Sequence, residues 1–375
     1  MIQIFHKNQM IREITRPPTA LCTLPQYIGF LLSEPRTVSC SRVGEVLEIS
    51  HDSVNRFLYR ETYTPIDLFN EAKSSLDLVG GVVSVDDSVL DKPYSKHIEL
   101  VSHFYSGKHH AVVKGLNLIT LYYTDPKGHH LPINFRIYDK SEGKTKNDYF
   151  LDMLTEVIEW GLSPIVVTGD SWYSSVNNLK TIRECGLGLM FAVEANRTVS
   201  EIKGTWIQVQ KIDIPEDGLI VWLKDFGRVK VFRTFLKDQK RHYVISFPED
   251  TKADKPSDKL EGFSFNEFEK WHDDHWKIEQ FHRAIKQVCN IERFQVRGKV
   301  AIHTHVFASI CGFVELQKMC AVDLIKNCYA VQRNLFNDVI SQFVGIFSPR
   351  LERLKPHFSP SINALLLISN APHQT

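Results

Sequence analysis

The stretch GGVVSVDDSVLDKPYSKH, residues 80–97, runs small, apolar and β-branched residues straight into the adjacent carboxylates Asp86 and Asp87. Residues 81–85 read as a buried strand that ends on this acid pair. Buried ionised groups are costly unless a side chain or a cation compensates them, so the pair requires partners from elsewhere in the chain.

Outward from this strand, residues 110–123 read as a second strand, DPKG as a turn and residues 130–138 as a third strand. Residues 147–160 then read as a helix and 164–168 as a short apolar strand ending at Gly169 and Asp170. Residues 174–184 read as a helix and 187–193 as another strand. This order resembles the ribonuclease-H-like fold, an α/β (α+β) mixed sheet flanked by helices. TWIQVQKIDI and GLIVWLKDFGRVKVFR then make residues 195–264 a β-rich insertion and linker, with PEDTKADKPSDK, residues 248–259, as the linker itself. A long helix follows over 265–288. The apolar stretch AIHTHVFASICGFVELQKMCAVDLI is interrupted by His303, His305, Glu315, Lys318 and Asp323, and reads as core rather than a membrane span.

Ahead of residue 80 the chain reads as helical. SRVGEVLEISHDSVNRFLYRE gives two short helices joined by a turn, the outline of a helix-turn-helix, with Ser53, Asn55 and Arg56 on the exposed side of the second. The expected divisions are 1–79, an N-terminal helical DNA-binding region; 80–194, the first part of the catalytic domain; 195–264, the insertion; 265–300, a catalytic helix region; and 301–375, a C-terminal helical region.

Composition narrows the function classes. In 375 residues, 45 basic groups balance 44 acidic ones to a net charge of +1, so any nucleic-acid contact has to come from local patches. The seven cysteines are scattered without a CxxC pair, which argues against a disulfide framework or a thiolate zinc site and fits a reducing cytoplasm. No signal peptide or membrane span is expected.

Asp170 follows a strand at its carboxyl end, the edge of an open α/β sheet where ligands gather. The third acid lies in WHDDHWKIEQFHRAIK, residues 271–286. Trp271, Ile278, Phe281, Ile285 and Val288 form an apolar stripe that docks the helix; His272, His275, Glu279, His282 and Lys286 form a polar stripe beside it. EKWH and EQFH also match the Glu-x-x-His pattern of di-iron bundles, but they share one helix, about 15 Å apart along its axis.

This segment resembles the Tyr-x2-Arg-x3-Glu-x6-Lys signature of DDE transposases of the insertion-sequence-four superfamily. Glu279 and Lys286 match it, and His272 and His275 replace Tyr and Arg. DDSVLDKPY and VVTGDSWY look like that family's two aspartate motifs, and the β insertion before the glutamate also fits. The resemblance implies that Asp87, Asp170 and Glu279 bind two Mg²⁺ ions, with Mn²⁺ able to substitute. Alternation along a strand sends the two neighbours to opposite faces; Asp87 is chosen because the family's aspartate directly precedes a small hydroxyl residue, here Ser88, with Asp86 as the alternative. It further implies that His275, Arg283, Lys286, Arg293, Arg297 and Lys299 face DNA phosphates near the scissile bond, and that Asn55 and Arg56 read the element's ends. The expectation is a bacterial, cytoplasmic transposase that acts as a homodimer on double-stranded DNA in cut-and-paste transposition. Trp206 and Trp222 in the insertion are candidates for stacking on a flipped base. Two alternatives stand: a nuclease without strand transfer, and a decayed, transposase-derived DNA-binding protein.

Overall fold

The computed structural model describes residues 20–331 apart from 35–37, 61, 108, 237–238 and 252–255; positions 332–375 of the expected C-terminal region lie outside the described residues. Among the described residues, four short helices come first: α1 (Leu24–Ser33), α2 (Cys40–Leu47), α3 (His51–Arg60) and α4 (Pro65–Lys73). Capping boxes at Thr23 and Thr64, each followed by a proline at the helix start, fix where α1 and α4 begin.

The strand β1 (Val82–Asp91) runs ten residues, so both aspartates lie inside it rather than at its end. A hairpin of β2 (Ser102–Ser106) and β3 (Ala111–Thr124) follows, then β4 (His130–Ile137), α5 (Lys146–Glu159), β5 (Val166–Gly169), α6 (Val176–Glu184) and β6 (Gly188–Val193). β1, β3 and β4 form an antiparallel meander, whereas β5 and β6 run parallel to β1. The resulting order β4-β3-β1-β5-β6 is that of a ribonuclease-H-like sheet.

The insertion contributes β7 (Thr198–Ser200), β8 (Ile207–Gln208), β9 (Leu219–Leu223), β10 (Gly227–Leu236) and β11 (Gln239–Ser246). β11 pairs antiparallel with β6 from His242 to Ser246, so the insertion prolongs one eleven-stranded sheet. The expected linker is partly anchored. Asp250 is buried and accepts from the amides of Phe247 (3.0 Å) and Ser257 (2.9 Å), and α7 (Asp258–Gly262) buries Leu260.

α8 (Phe265–Gln287) starts at a capping box between Ser264 and Glu267. Trp271, Ile278, Phe281, Ile285 and Val288 are all buried, as the stripe predicts; at about 1.5–3 kcal/mol for each large apolar side chain, this face is what holds the helix on the sheet. Beyond it Asn290 takes a left-handed conformation, φ 57°. Its amide donates to the carbonyls of Leu31 (2.7 Å) and Glu34 (2.6 Å), tying the end of α8 to α1.

α9 (Lys299–Ala321) is long and apolar enough to cross a membrane by composition, but 83% of its most apolar window is buried inside the fold. Tyr27 on α1 meets it through a 2.9 Å contact between its hydroxyl and His305 Nδ1. Val54, Phe57 and Leu58 of α3 belong to the same hydrophobic core as α9 and the central sheet.

Candidate active site

Strand parity sorts the acids. β1 and β5 are parallel, with Ser84 opposite Thr168 and Val85 opposite Gly169, so the next pair is Asp86 beside Asp170. Ser84 Oγ and Thr168 Oγ1 lie 2.9 Å apart, and Thr168 Oγ1 lies 3.1 Å from His275 Nδ1 on α8. Ser84, Asp86, Thr168 and Asp170 therefore share the sheet face that α8 covers. Gly169 permits the close approach just before Asp170: a Cβ there would sit 2.5 Å from the Phe191 ring and 2.8 Å from Val85 Cγ1.

On that face Asp86 Oδ2 lies 3.3 Å from His282 Nδ1. Burial lowers the His282 pKa to about 4, so its imidazole supplies no charge to offset the acid near neutral pH. Burial first, then the charges of Glu279 and Asp87, hold Asp86 well above the usual carboxylate range. Asp170 caps the short 3-10 turn Ser171–Tyr173, accepting from the amides of Trp172 (3.0 Å) and Tyr173 (3.4 Å). Its carboxyl is nevertheless pushed up to about 7 by burial and by Asp86 and Asp87. Glu279 projects from α8 at an exposed position. Among the described residues, no group of three or more His, Cys, Asp and Glu side chains stands at metal-ligand spacing. The donor set still suits hard divalent cations: these are carboxylate oxygens, mutually repelling, and among the described residues the Lys146 charge acts on Asp86 less than burial and the neighbouring acids do.

Asp87 faces the other way. Its Oδ1 accepts from Lys146 Nζ (2.7 Å) and from the Tyr173 hydroxyl (2.9 Å), and its Oδ2 accepts from Asn117 Nδ2. Lys146 also stands 4.5 Å over the exposed ring of Trp172. Asp87 thus has the full set of side-chain partners that Asp86 lacks. Replacing Lys146 by Met is expected to lower stability by about 2 kcal/mol, because it strands a mostly buried carboxylate. Chemical denaturation checks this; an unchanged midpoint would mean that solvent already neutralises Asp87.

A family model described as a transposase DDE domain matches residues 80–312, from the start of β1 into α9. The chain belongs to the DDE transposase family. Among solved structures, the Drosophila P element transposase strand transfer complex is similar, with 9% sequence identity over 88% of this chain and 87% of that chain, and a TM-score of 0.27. A likeness that distant assigns no residue here. No curated protein matches this chain.

In this DDE domain the expected phosphate contacts are differently engaged. Arg283, Arg293 and Arg297 are exposed. Lys286 Nζ donates to the Val89 carbonyl (2.7 Å) and pairs with Glu292 (3.2 Å). Lys299 pairs with Asp139 (2.9 Å) and Glu142 (3.3 Å). His275 is half-buried against Thr168, with burial lowering its pKa to about 4, so it is a neutral packing group in this state. His272, at the position of the signature tyrosine, contacts the Tyr243 hydroxyl at 3.2 Å. Trp222 is flanked by Lys203 and Arg228, each 4.7 Å from its ring, and Trp206 is 40% exposed.

In the N-terminal region α2 and α3 form, and Asn55 and Arg56 are exposed. Ser53, expected beside them, is buried instead: its hydroxyl accepts from the amides of Leu21 and Cys22, which pins the chain entering α1. The sequence keeps Asp86 as the alternative to Asp87 and gives no pointer to Lys146, Asn117 or Tyr173 as neighbours of Asp87. The DD doublet flagged Asp86; nothing local marked Lys146, which lies 59 positions from Asp87.

Proposed function

We propose that this chain is the transposase of a bacterial insertion sequence, cutting element ends and joining them to target DNA, and that Asp86, Asp170 and Glu279 hold its divalent ions. The observation that supports the reading is the parallel register of β1 and β5, which ends with Val85 opposite Gly169, one residue before Asp86 and Asp170; the charges of Glu279 on Asp86 and of Asp86 on Asp170 add to it. It favours Asp86 over Asp87, whose charge Lys146 already balances. Two Mg²⁺ ions held by these carboxylates would activate an attacking water or 3′-hydroxyl and stabilise the departing 3′-oxygen. Asp87, Lys146, Tyr173 and Asn117 act as the brace that fixes β1 from behind, and the exposed Arg283 and Arg297 are the groups offered to phosphates.

The discriminating experiment supplies a pre-cut end, taken from the DNA flanking the coding region, together with a circular target in Mg²⁺. Joined product supports transposition; cleavage without joining supports the nuclease reading, and binding without either supports a decayed copy.

Recognition of element ends is assigned to α3. Deleting the N-terminal helices is unsuitable as a test, because they share the core with α9. The double replacement of Asn55 and Arg56 by Ala is expected to weaken end binding about tenfold, consistent with loss of base or phosphate contacts worth about 1–3 kcal/mol. Equal affinity of wild type and variant for end and random duplexes would remove α3 from the recognition surface.

A further inference from the structure

The sheet face that carries Asp86 continues along β3 and β2 well beyond the carboxylates. Thr120 is paired with Asp86, and its hydroxyl lies 3.5 Å from His282 Nε2, so it points to the α8 side. Alternation sends Leu118, Leu116, Lys114 and Val112 to the same side. The unbroken β2–β3 register adds His103 opposite Lys114, and Tyr105 opposite Val112. Leu116 and Leu118 are buried, but further out the face opens: Tyr105 is 64% and Val112 65% exposed, with His103 exposed beside them.

The charge of this arm departs from the balance of the whole chain. Residues 94–114 carry Lys96, Lys108, Lys114 and four histidines, His97, His103, His109 and His110, against the single acid Glu99. Glu99 is engaged, its carboxylate accepting from the Lys299 amide. His109, in the turn of the hairpin, is engaged at 2.9 Å with Asp91 at the end of β1. Lys140, also exposed, donates to the His103 carbonyl at 3.1 Å and adds a further positive group.

We propose that the β2–β3 hairpin is a DNA-contact arm that grips the backbone of the same duplex whose end lies at the carboxylates. Lysine ammonium and imidazole N–H groups meet phosphates, and the Tyr105 hydroxyl and ring meet the sugar-phosphate edge. Eight residues separate Thr120 from Val112, about 27 Å at strand rise. That span places the contact about eight base pairs from the reacting phosphate, at about 3.4 Å per step along a strand. This assignment rests on the reading of the chain as an enzyme acting on DNA.

The test uses the full chain in Ca²⁺ and a duplex of about 40 base pairs with one recessed 3′-hydroxyl end, with affinity read by anisotropy between about 50 and 200 mM salt. The triple variant Lys96→Glu, His103→Glu, Tyr105→Ala is expected to bind at least about tenfold more weakly, with a log-log salt slope shallower by about two. His103→Lys alone should bind at least as well as wild type. A photo-cross-linking residue at position 105 should label DNA about eight base pairs from the end. Unchanged affinity and slope in the triple variant, or labelling confined to the end itself, would overturn the arm while leaving the enzymatic reading intact. Absence of DNA binding by wild type would overturn both. Matching thermal melts show that the surface changes leave the fold unaltered.

Discussion

Asp86→Asn is expected to reduce Mg²⁺-dependent strand cleavage by a factor of about a thousand or more, with affinity for a DNA end unchanged or improved. The substitution keeps the shape of the side chain and removes the charge that draws a hard cation into the site. Phosphate affinity comes from basic groups, so removing an acid beside the DNA can only relieve repulsion. Asp170→Asn and Glu279→Gln should behave alike. Asp87→Asn is the informative contrast. Its amide oxygen still accepts from Tyr173, but its NH2 takes the place of the oxygen that accepted from Asn117 and the pairing with Lys146 weakens; it is expected to cost at most about a hundredfold in rate, in the range seen when a supporting partner of a metal site is lost. Single-turnover cleavage of a labelled duplex measures all four; full activity in Asp86→Asn together with a dead Asp87→Asn would exchange their roles.

The second expected result concerns stability without metal. The Asp170 carboxyl is pushed up to about 7, chiefly by burial and then by Asp86 and Asp87. A raised acid binds its proton more tightly in the folded state than in the unfolded one. The folded state therefore loses stability as pH rises from the unfolded pKa, near 4, through the folded value near 7, and at pH 8 the full penalty applies. A rise of this size corresponds to on the order of 4 kcal/mol. Asp170→Asn keeps an oxygen to accept from the Trp172 and Tyr173 amides, so the turn survives. The metal-free variant should be more stable than wild type by a few kcal/mol at pH 8, and the difference should vanish near pH 4. Denaturant titrations at both values check this, and adding Mg²⁺ should stabilise wild type more than the variant. A gain that is the same at both pH values would point to packing instead of charge.

Much of this architecture is legible in the residues. The β-branched runs at 81–85 and 164–168, the apolar stripe of α8 and the alternating insertion all carry their period in the sequence, and each forms, although β1 continues six residues past its expected end to Asp91. What stays hidden depends on pairing across long separations. The choice between Asp86 and Asp87 turns on the register of β1 against β5, more than eighty positions away, and on which face α8 takes; no local pattern encodes either. Strand β2 escapes because SHFYS alternates weakly and is short, and it forms because β3 offers it an edge. Ser53 looks like a surface residue of an amphipathic helix, but the chain entering α1 covers it with two amides.

The central claim is that Asp86, Asp170 and Glu279, and not Asp87, form the metal-binding face. It is tested most directly by anomalous scattering from Mn²⁺ in crystals of the full chain bound to a cut DNA end. The account predicts manganese peaks between Asp86 and Asp170 and toward Glu279, with Asp87 still paired to Lys146. Manganese bound by Asp87 on the α5 side of the sheet, with Asp86 left unligated, would contradict it.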